Sequence, residues 1–189
     1  FDAEDDQVVN EMERDVTRLE IVADRFSKIG SRPILTNHNV YEVIDNFVQY
    51  FKIRTSEKIT FQLTGDNHVE AKMNVPLFDW IIENLLKNAV NAIDTEGNIT
   101  VDIKENIAKE EIFIDISDTG KGIPKSNFEA IFQPGFTTRQ RGWGLGLSLT
   151  KRMVRYHRGH IFVKESEIGK GTTFRIILKS NLNYEPTQV

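Results

Sequence analysis

Four short segments of unusual composition occur in one order along this 189-residue chain, and that order limits the folds open to it. Glu83-Asn84-Leu85-Leu86-Lys87-Asn88-Ala89 sets two carboxamides four residues apart inside an apolar pattern. Asp118-Thr119-Gly120-Lys121-Gly122, Gly142-Trp143-Gly144-Leu145-Gly146-Leu147 and Gly169-Lys170-Gly171-Thr172-Thr173-Phe174 are glycine-rich turns at the ends of apolar runs. Glycine there lets the backbone come close to a ligand or take positive φ. Together the four read as one site assembled from several chain segments.

With 39% hydrophobic residues the chain can bury one good core and a small appendage. A net charge of −4 gives no global basic field, so nucleic acid is not an expected partner. The absence of cysteine excludes disulfides and thiolate metal sites. No apolar run approaches the roughly 18 residues that span a bilayer. The chain begins inside a helical pattern, so a piece of a larger protein is expected, with any membrane anchor upstream of Phe1.

Residues 1–30 read as one helix. Val9, Met12, Val16, Leu19, Ala23, Phe26 and Ile29 or Gly30 make one apolar stripe, and acidic residues crowd the other faces. A lone helix cannot bury such a stripe, so a partner helix is expected, the alternative being packing on its own domain. Residues 31–39 form a linker or short strand, 40–180 the main domain and 181–189 a frayed tail. Within the domain, helices are expected over Val40–Arg54, Pro76–Ile93, Ser126–Phe132 and Leu145–Tyr156. Lys58–Leu63 and Val69–Met73 alternate as strands across a Gly65-Asp66-Asn67 turn. Further strands are expected near Asn98–Ile103, Ile112–Ile116, Ile161–Lys164 and Thr173–Leu178, and a mobile loop over Gln133–Gly144. The mixture points to an α+β fold, a two-layer sandwich with helices on one sheet face.

On a helix, Asn84 and Asn88 point the same way. A neutral amide oxygen is a hard donor suited to Mg²⁺, which takes its other ligands from water and phosphate. An ordinary amphipathic helix with exposed asparagines would give the same spacing. Asp118 sits where a strand runs out, and a buried carboxylate there can accept from an exocyclic amine such as adenine N6. The glycines at 142, 144 and 146 lead into a helix start, whose N–H groups bind phosphate. A polar loop rather than a strand precedes them, which argues against a dinucleotide fold. Arg139 and Arg141 could meet a terminal phosphate or stay solvated, and Trp143 could cap a nucleotide or anchor the loop. The Thr172 hydroxyl could join the Asp118 network. The four histidines have no metal-ligand spacing and read as surface or packing residues.

These segments, with Phe128–Phe132 between them, resemble the N box, the three glycine boxes and the F box of sensor histidine kinases, in the ATP-binding domain of the GHKL (Bergerat-fold) superfamily. The resemblance covers about residues 34–180. It implies a mixed, mostly antiparallel five-stranded sheet with helices on one face, and ATP with Mg²⁺ as cofactors. Asn88 would hold Mg²⁺, Asn84 would support the phosphates, and Asp118 would read adenine. Gly120, Gly122, Gly142, Gly144 and Gly146 would shape pocket and lid. Lys87, Asn91, Ile123, Phe132, Thr137, Thr138, Trp143, Leu145, Leu147 and Thr172 would complete the nucleotide's surroundings. The leading helix resembles the second helix of a dimerisation and histidine-phosphotransfer hairpin.

Two departures carry consequences. The family often has a basic residue, then an aromatic or His, after the second box asparagine; here these are Asn91 and Ala92. Arg139, Arg141 and Lys87 are the candidates to meet phosphate charge. No histidine in the chain is followed by an acidic residue, so the phospho-accepting one is expected upstream, and the chain alone should not phosphorylate itself. The resemblance implies γ-phosphoryl transfer to that histidine, relay to a response-regulator aspartate, a homodimeric parent and a cytoplasmic domain of a membrane-anchored bacterial sensor. One alternative is a GHKL ATPase, with Glu83 as base although it stands one residue from the expected place. The other is a non-catalytic nucleotide-sensing module.

Overall fold

The computed structural model describes Val9, Met12, Glu13, Val16, residues 34–137 and residues 144–181. The chain divides into two compact units, Phe1–Ile34 and Leu35–Val189. In the first, the described positions from Val9 to Val16 are helical, and Val9, Met12 and Val16 expose their apolar side chains. The rest of the expected leading helix, the 182–189 tail and Thr138, Arg139, Arg141, Gly142 and Trp143 lie outside the described residues.

The second unit opens with β1 (Thr36–Asn39) and α1 (Val40–Arg54). The Asn39 side chain caps α1 by accepting the Glu42 N–H at 3.0 Å. Val40, Ile44, Val48 and Phe51 form its buried stripe. After β2 (Ile59–Gly65) and β3 (Glu70–Met73) comes α2 (Val75–Ala92). Asn74 caps it by accepting the Leu77 N–H at 3.2 Å, and Pro76 sits in its first turn, where a missing N–H costs no helix bond. Leu77, Phe78, Ile81, Ile82, Leu85, Leu86 and Ala89 are all buried. Burial of each of these side chains other than Ala89 contributes about 1.5–3 kcal/mol. β4 (Gly97–Asn106), β5 (Glu111–Asp118), α3 (Gly146–Tyr156), β6 (His160–Glu167) and β7 (Gly171–Lys179) complete the unit.

Five strands make one sheet in the order β2-β4-β5-β7-β6, with β2 and β4 parallel and the other neighbours antiparallel. This is the mixed, mostly antiparallel sheet of an α+β sandwich. Along β5, Ile112, Ile114, Ile116 and Asp118 belong to one alternating set on the core side. Asp115 belongs to the other face, where Arg175 grips both its oxygens at 2.6 and 2.7 Å and Lys164 approaches at 2.9 Å. Burial opposes ionisation of Asp115, but these partners outweigh it and hold its carboxyl below the usual range.

Strands β2 and β3 form on either side of the expected turn but do not pair with each other; β3 pairs antiparallel with β1 in a separate two-stranded sheet. The turn between them is committed elsewhere. The Asp66 N–H donates to Ile103 C=O at 2.8 Å, and the Asp66 carboxylate accepts the Glu105 N–H at 2.8 Å, both on β4. The helix expected over Ser126–Phe132 is two 3₁₀ turns, Lys125–Asn127 and Ala130–Phe132. Only Ile131 and Phe132 are buried in them, and no side chain caps either, so nothing sustains an α-helix.

α3 runs antiparallel to α2. Its last turn meets the α2 cap, where His157, 3% exposed, accepts the Asn74 N–H on Nε2 at 3.1 Å. Nδ1 lies 2.8 Å from Met153 C=O, which fixes the proton on Nδ1. Burial pushes this imidazole below its usual pKa, against the opposing effect of its Met153 and Asn74 bonds. Its depressed folded value means the stability it contributes is present above about pH 6.5 and is lost as pH falls below that. His157→Gln is therefore expected to cost about 1–3 kcal/mol in urea unfolding at pH 7.5. The gap to wild type should narrow at lower pH; a pH-independent gap would contradict the bonding described.

Candidate nucleotide site

The site grows from the joint between α2 and α3. Asn84, half-buried, donates from Nδ2 to the Thr150 hydroxyl at 2.8 Å. Its Oδ1 abuts the first residue of α3 so closely that a Cβ on Gly146 would stand 2.7 Å from it. A side chain at 146 would have to displace the Asn84 carboxamide. Asn88 lies one turn, roughly 6 Å, further along α2. Because the helices are antiparallel, that step leads past the start of α3, where its chain arrives. The N-cap residue of α3, Leu145, makes no side-chain cap bond, and the first-turn N–H groups of a helix suit an anion. The segment ahead of α3 is pinned at its base by Gly135 N–H donating to Gly144 C=O at 3.1 Å.

The Asp118 turn closes on the C-terminal end of α2. The Lys121 N–H donates to Ala92 C=O at 2.9 Å, which holds Asp118–Gly122 one turn beyond Asn88. Asp118 is 8% exposed and accepts the Gly120 N–H at 2.8 Å, with a second backbone bond from Thr172. Burial pushes its carboxyl up to about 6 despite those two bonds. It is mostly ionised at neutral pH, with lone pairs left to accept an amine. Thr172 faces Asp118 across β5 and β7. Gly171 makes the pairing possible: its φ is +115°, and a Cβ there would lie 1.8 Å from the Asp118 carbonyl oxygen.

Other expected site residues are placed as follows. Glu83 and Lys87 form an ion pair along α2, with Oε1 and Nζ 2.5 Å apart, so neither charge stands alone. The Asn91 amide turns back to Lys87 C=O. Ile123 donates its N–H to the Ser166 hydroxyl at 2.7 Å, which anchors the turn after Gly122 to β6. Phe132 is buried edge-to-face on Phe174, 6.3 Å between centroids, with Lys151 Nζ 5.1 Å from its ring. That ring works in the core. Thr137 is exposed, and Leu145 and Leu147 are half-buried around the start of α3.

Two residues carry no signal in the sequence. Thr150 looks like any helical threonine. Ser166 looks like any strand serine, yet its hydroxyl meets Thr172 Oγ1 and Gly171 C=O, both at 2.9 Å, as well as Ile123. Among the described residues, no cluster of three His, Asp or Glu side chains could hold a metal. Asn88 is half-buried on α2, and an amide oxygen suits a hard cation shared with phosphates and water rather than a protein-caged one.

A strand-end carboxylate, two helix amides and a helix start lie along the C-terminal half of α2, an arrangement suited to a nucleotide. The family described as histidine kinase-, DNA gyrase B- and HSP90-like ATPase matches residues 73–182, more than half of the chain, and the chain belongs to that family. The sensor histidine kinase ZraS of Salmonella typhi is 44% identical over 98 residues, 52% of this chain and 21% of its own length. The nitrogen regulation protein NtrY of Azorhizobium caulinodans is 28% identical over 182 residues, 93% of this chain and 24% of its own. The histidine kinase ThkA, solved in complex with the response regulator TrrA, shares the fold at a TM-score of 0.73 and 23% identity, covering 93% of this chain and 51% of that one. The chain spans less than a quarter of the length of these two curated relatives. No described helix is long and apolar enough to cross a membrane.

Proposed function

We propose that this chain binds Mg²⁺·ATP and, within its full-length protein, donates the γ-phosphoryl group to a histidine on a phosphotransfer hairpin. The observation that carries the reading is the convergence at the C-terminal half of α2: Gly146 against Asn84, and Lys121 on Ala92 C=O beneath Asp118. Asp118 receives the adenine amine, and the N–H groups opening α3 receive phosphate oxygens. Asn88 offers its amide oxygen to Mg²⁺, which when bound neutralises triphosphate charge. An imidazole nitrogen attacks the γ-phosphorus, the bond to the β–γ bridging oxygen breaks, and ADP departs. Rate enhancement comes from positioning and charge stabilisation. The phosphoryl group then passes to an aspartate of a response regulator, and the parent protein dimerises through its hairpins in a four-helix bundle. The salt bridge that occupies Glu83 argues against its acting as the base of a water-activating ATPase.

Calorimetric titration of the chain with AMP-PNP and Mg²⁺ tests the reading. Saturable one-to-one binding is expected, weakened about tenfold or more when hypoxanthine replaces adenine and removes the N6 donor. Absence of saturation would favour a scaffold that binds no nucleotide.

A further inference from the structure

Helix α3 buries two polar side chains toward α2, and each reaches an asparagine there. Thr150 is 0% exposed and accepts from Asn84 Nδ2 at 2.8 Å; His157 accepts from the Asn74 backbone N–H at 3.1 Å. Seven residues separate them, two helical turns or roughly 10 Å. Between these ties the buried residues are apolar, Met153 and Val154 on α3 and Leu77 and Ile81 on α2. Apolar ridges alone tolerate small shifts along a helix pair, whereas a buried hydrogen bond is lost by a displacement of about an ångström. The two ties therefore fix how far along α2 the α3 helix begins.

Their roles differ because their ends differ. The His157 tie sits at the cap of α2, remote from Asn88. The Thr150 tie sits on the residue that touches Gly146. Valine has nearly the shape of threonine and would fill a dry position without the cost of desolvating a hydroxyl. The hydroxyl at position 150 is spent on Asn84, and with Nδ2 committed there, Oδ1 is held against the α3 start.

We propose that Thr150 is a positioning residue for the nucleotide site: through its bond to Asn84 it fixes the carboxamide and the spacing between α2 and the phosphate-receiving turn of α3. This rests on the ATP-site reading above. It acts on the phosphate end of the ligand and leaves the Asp118 end alone.

The test is titration of the chain with AMP-PNP·Mg²⁺ and, separately, with adenosine. Thr150→Val is expected to weaken the triphosphate analogue about tenfold, the effect of taking the partner from a half-buried amide, while adenosine affinity stays within about twofold. Thr150→Ser, which keeps the hydroxyl, is expected to bind nearly as wild type. In an Asn84→Ala background, Thr150→Val should add no further loss, since the pair acts as one unit. A merely structural residue would weaken both ligands together and would show an additive cycle; either result overturns the proposal. So does Thr150→Val binding the triphosphate like wild type. If valine unfolds the domain, Thr150→Ala serves the same comparison. Wild-type chain that binds neither ligand overturns the ATP-site reading itself, and the proposal with it.

Discussion

Asn88→Ala is expected to lose at least about a hundredfold in the rate of Mg²⁺·ATP-dependent phosphoryl transfer to a supplied hairpin carrying the acceptor histidine. The magnitude follows from removing several kcal/mol of charge stabilisation at about 1.4 kcal/mol per decade. The fold should survive. Asn88 is half-buried, and the α2 residues that anchor the core, Leu85, Leu86 and Ala89, are untouched. Alanine also raises helix propensity at the position. The thermal midpoint is therefore expected to stay close to wild type while transfer collapses. Radiolabel incorporation into the hairpin measures the rate. An unchanged rate would remove Asn88 from the role given to it, and a collapse accompanied by unfolding would have no bearing on chemistry, which is why the melting curve belongs in the same experiment.

What the sequence disclosed and what it hid divide along local and non-local lines. Helix α2 was legible because its own residues announce it: Pro76 at the start, then apolar residues at helical spacing. Asp118 was legible because alternation along β5 ends at a glycine turn. The pairing of β2 with β4 was not. It is parallel, reaches across an intervening helix, and is fixed by Asp66 bonds to Ile103 and Glu105 that no local pattern reveals. The partner of Phe132 was hidden for a related reason. An aromatic residue beside a glycine loop can face ligand or core, and its Phe174 neighbour is 42 residues away in the chain. Thr150 and Ser166 were invisible because their importance lies wholly in partners on other elements. The residues proposed to meet a ligand stand out by composition and spacing. Those that hold them in place required the fold.

Asp118 is expected to show function and stability pulling in opposite directions. Asp118→Ala removes the acceptor for the adenine amine and should weaken AMP-PNP about ten- to a hundredfold, the range for a hydrogen bond to a charged group. Its folded carboxyl is pushed up to about 6 by burial, above the ordinary 3.8. A carboxyl raised in this way favours the folded state when protonated, below about pH 4, and that contribution is lost as pH rises through 6. At neutral pH the ionised group therefore costs stability, and Asp118→Ala should leave the thermal midpoint unchanged or higher despite the missing hydrogen bonds from Gly120 and Thr172. Nucleotide affinity of the wild type has the opposite sign. It depends on the ionised form, so it should be full above pH 7 and fall toward tenfold per unit below pH 6. Titrations between pH 5 and 8, with melting curves on the same samples, separate the two effects. Affinity that is flat across that range, or an Asp118→Ala variant that binds adenine nucleotide like wild type, would place the base elsewhere and leave the buried carboxylate without a function to offset its cost.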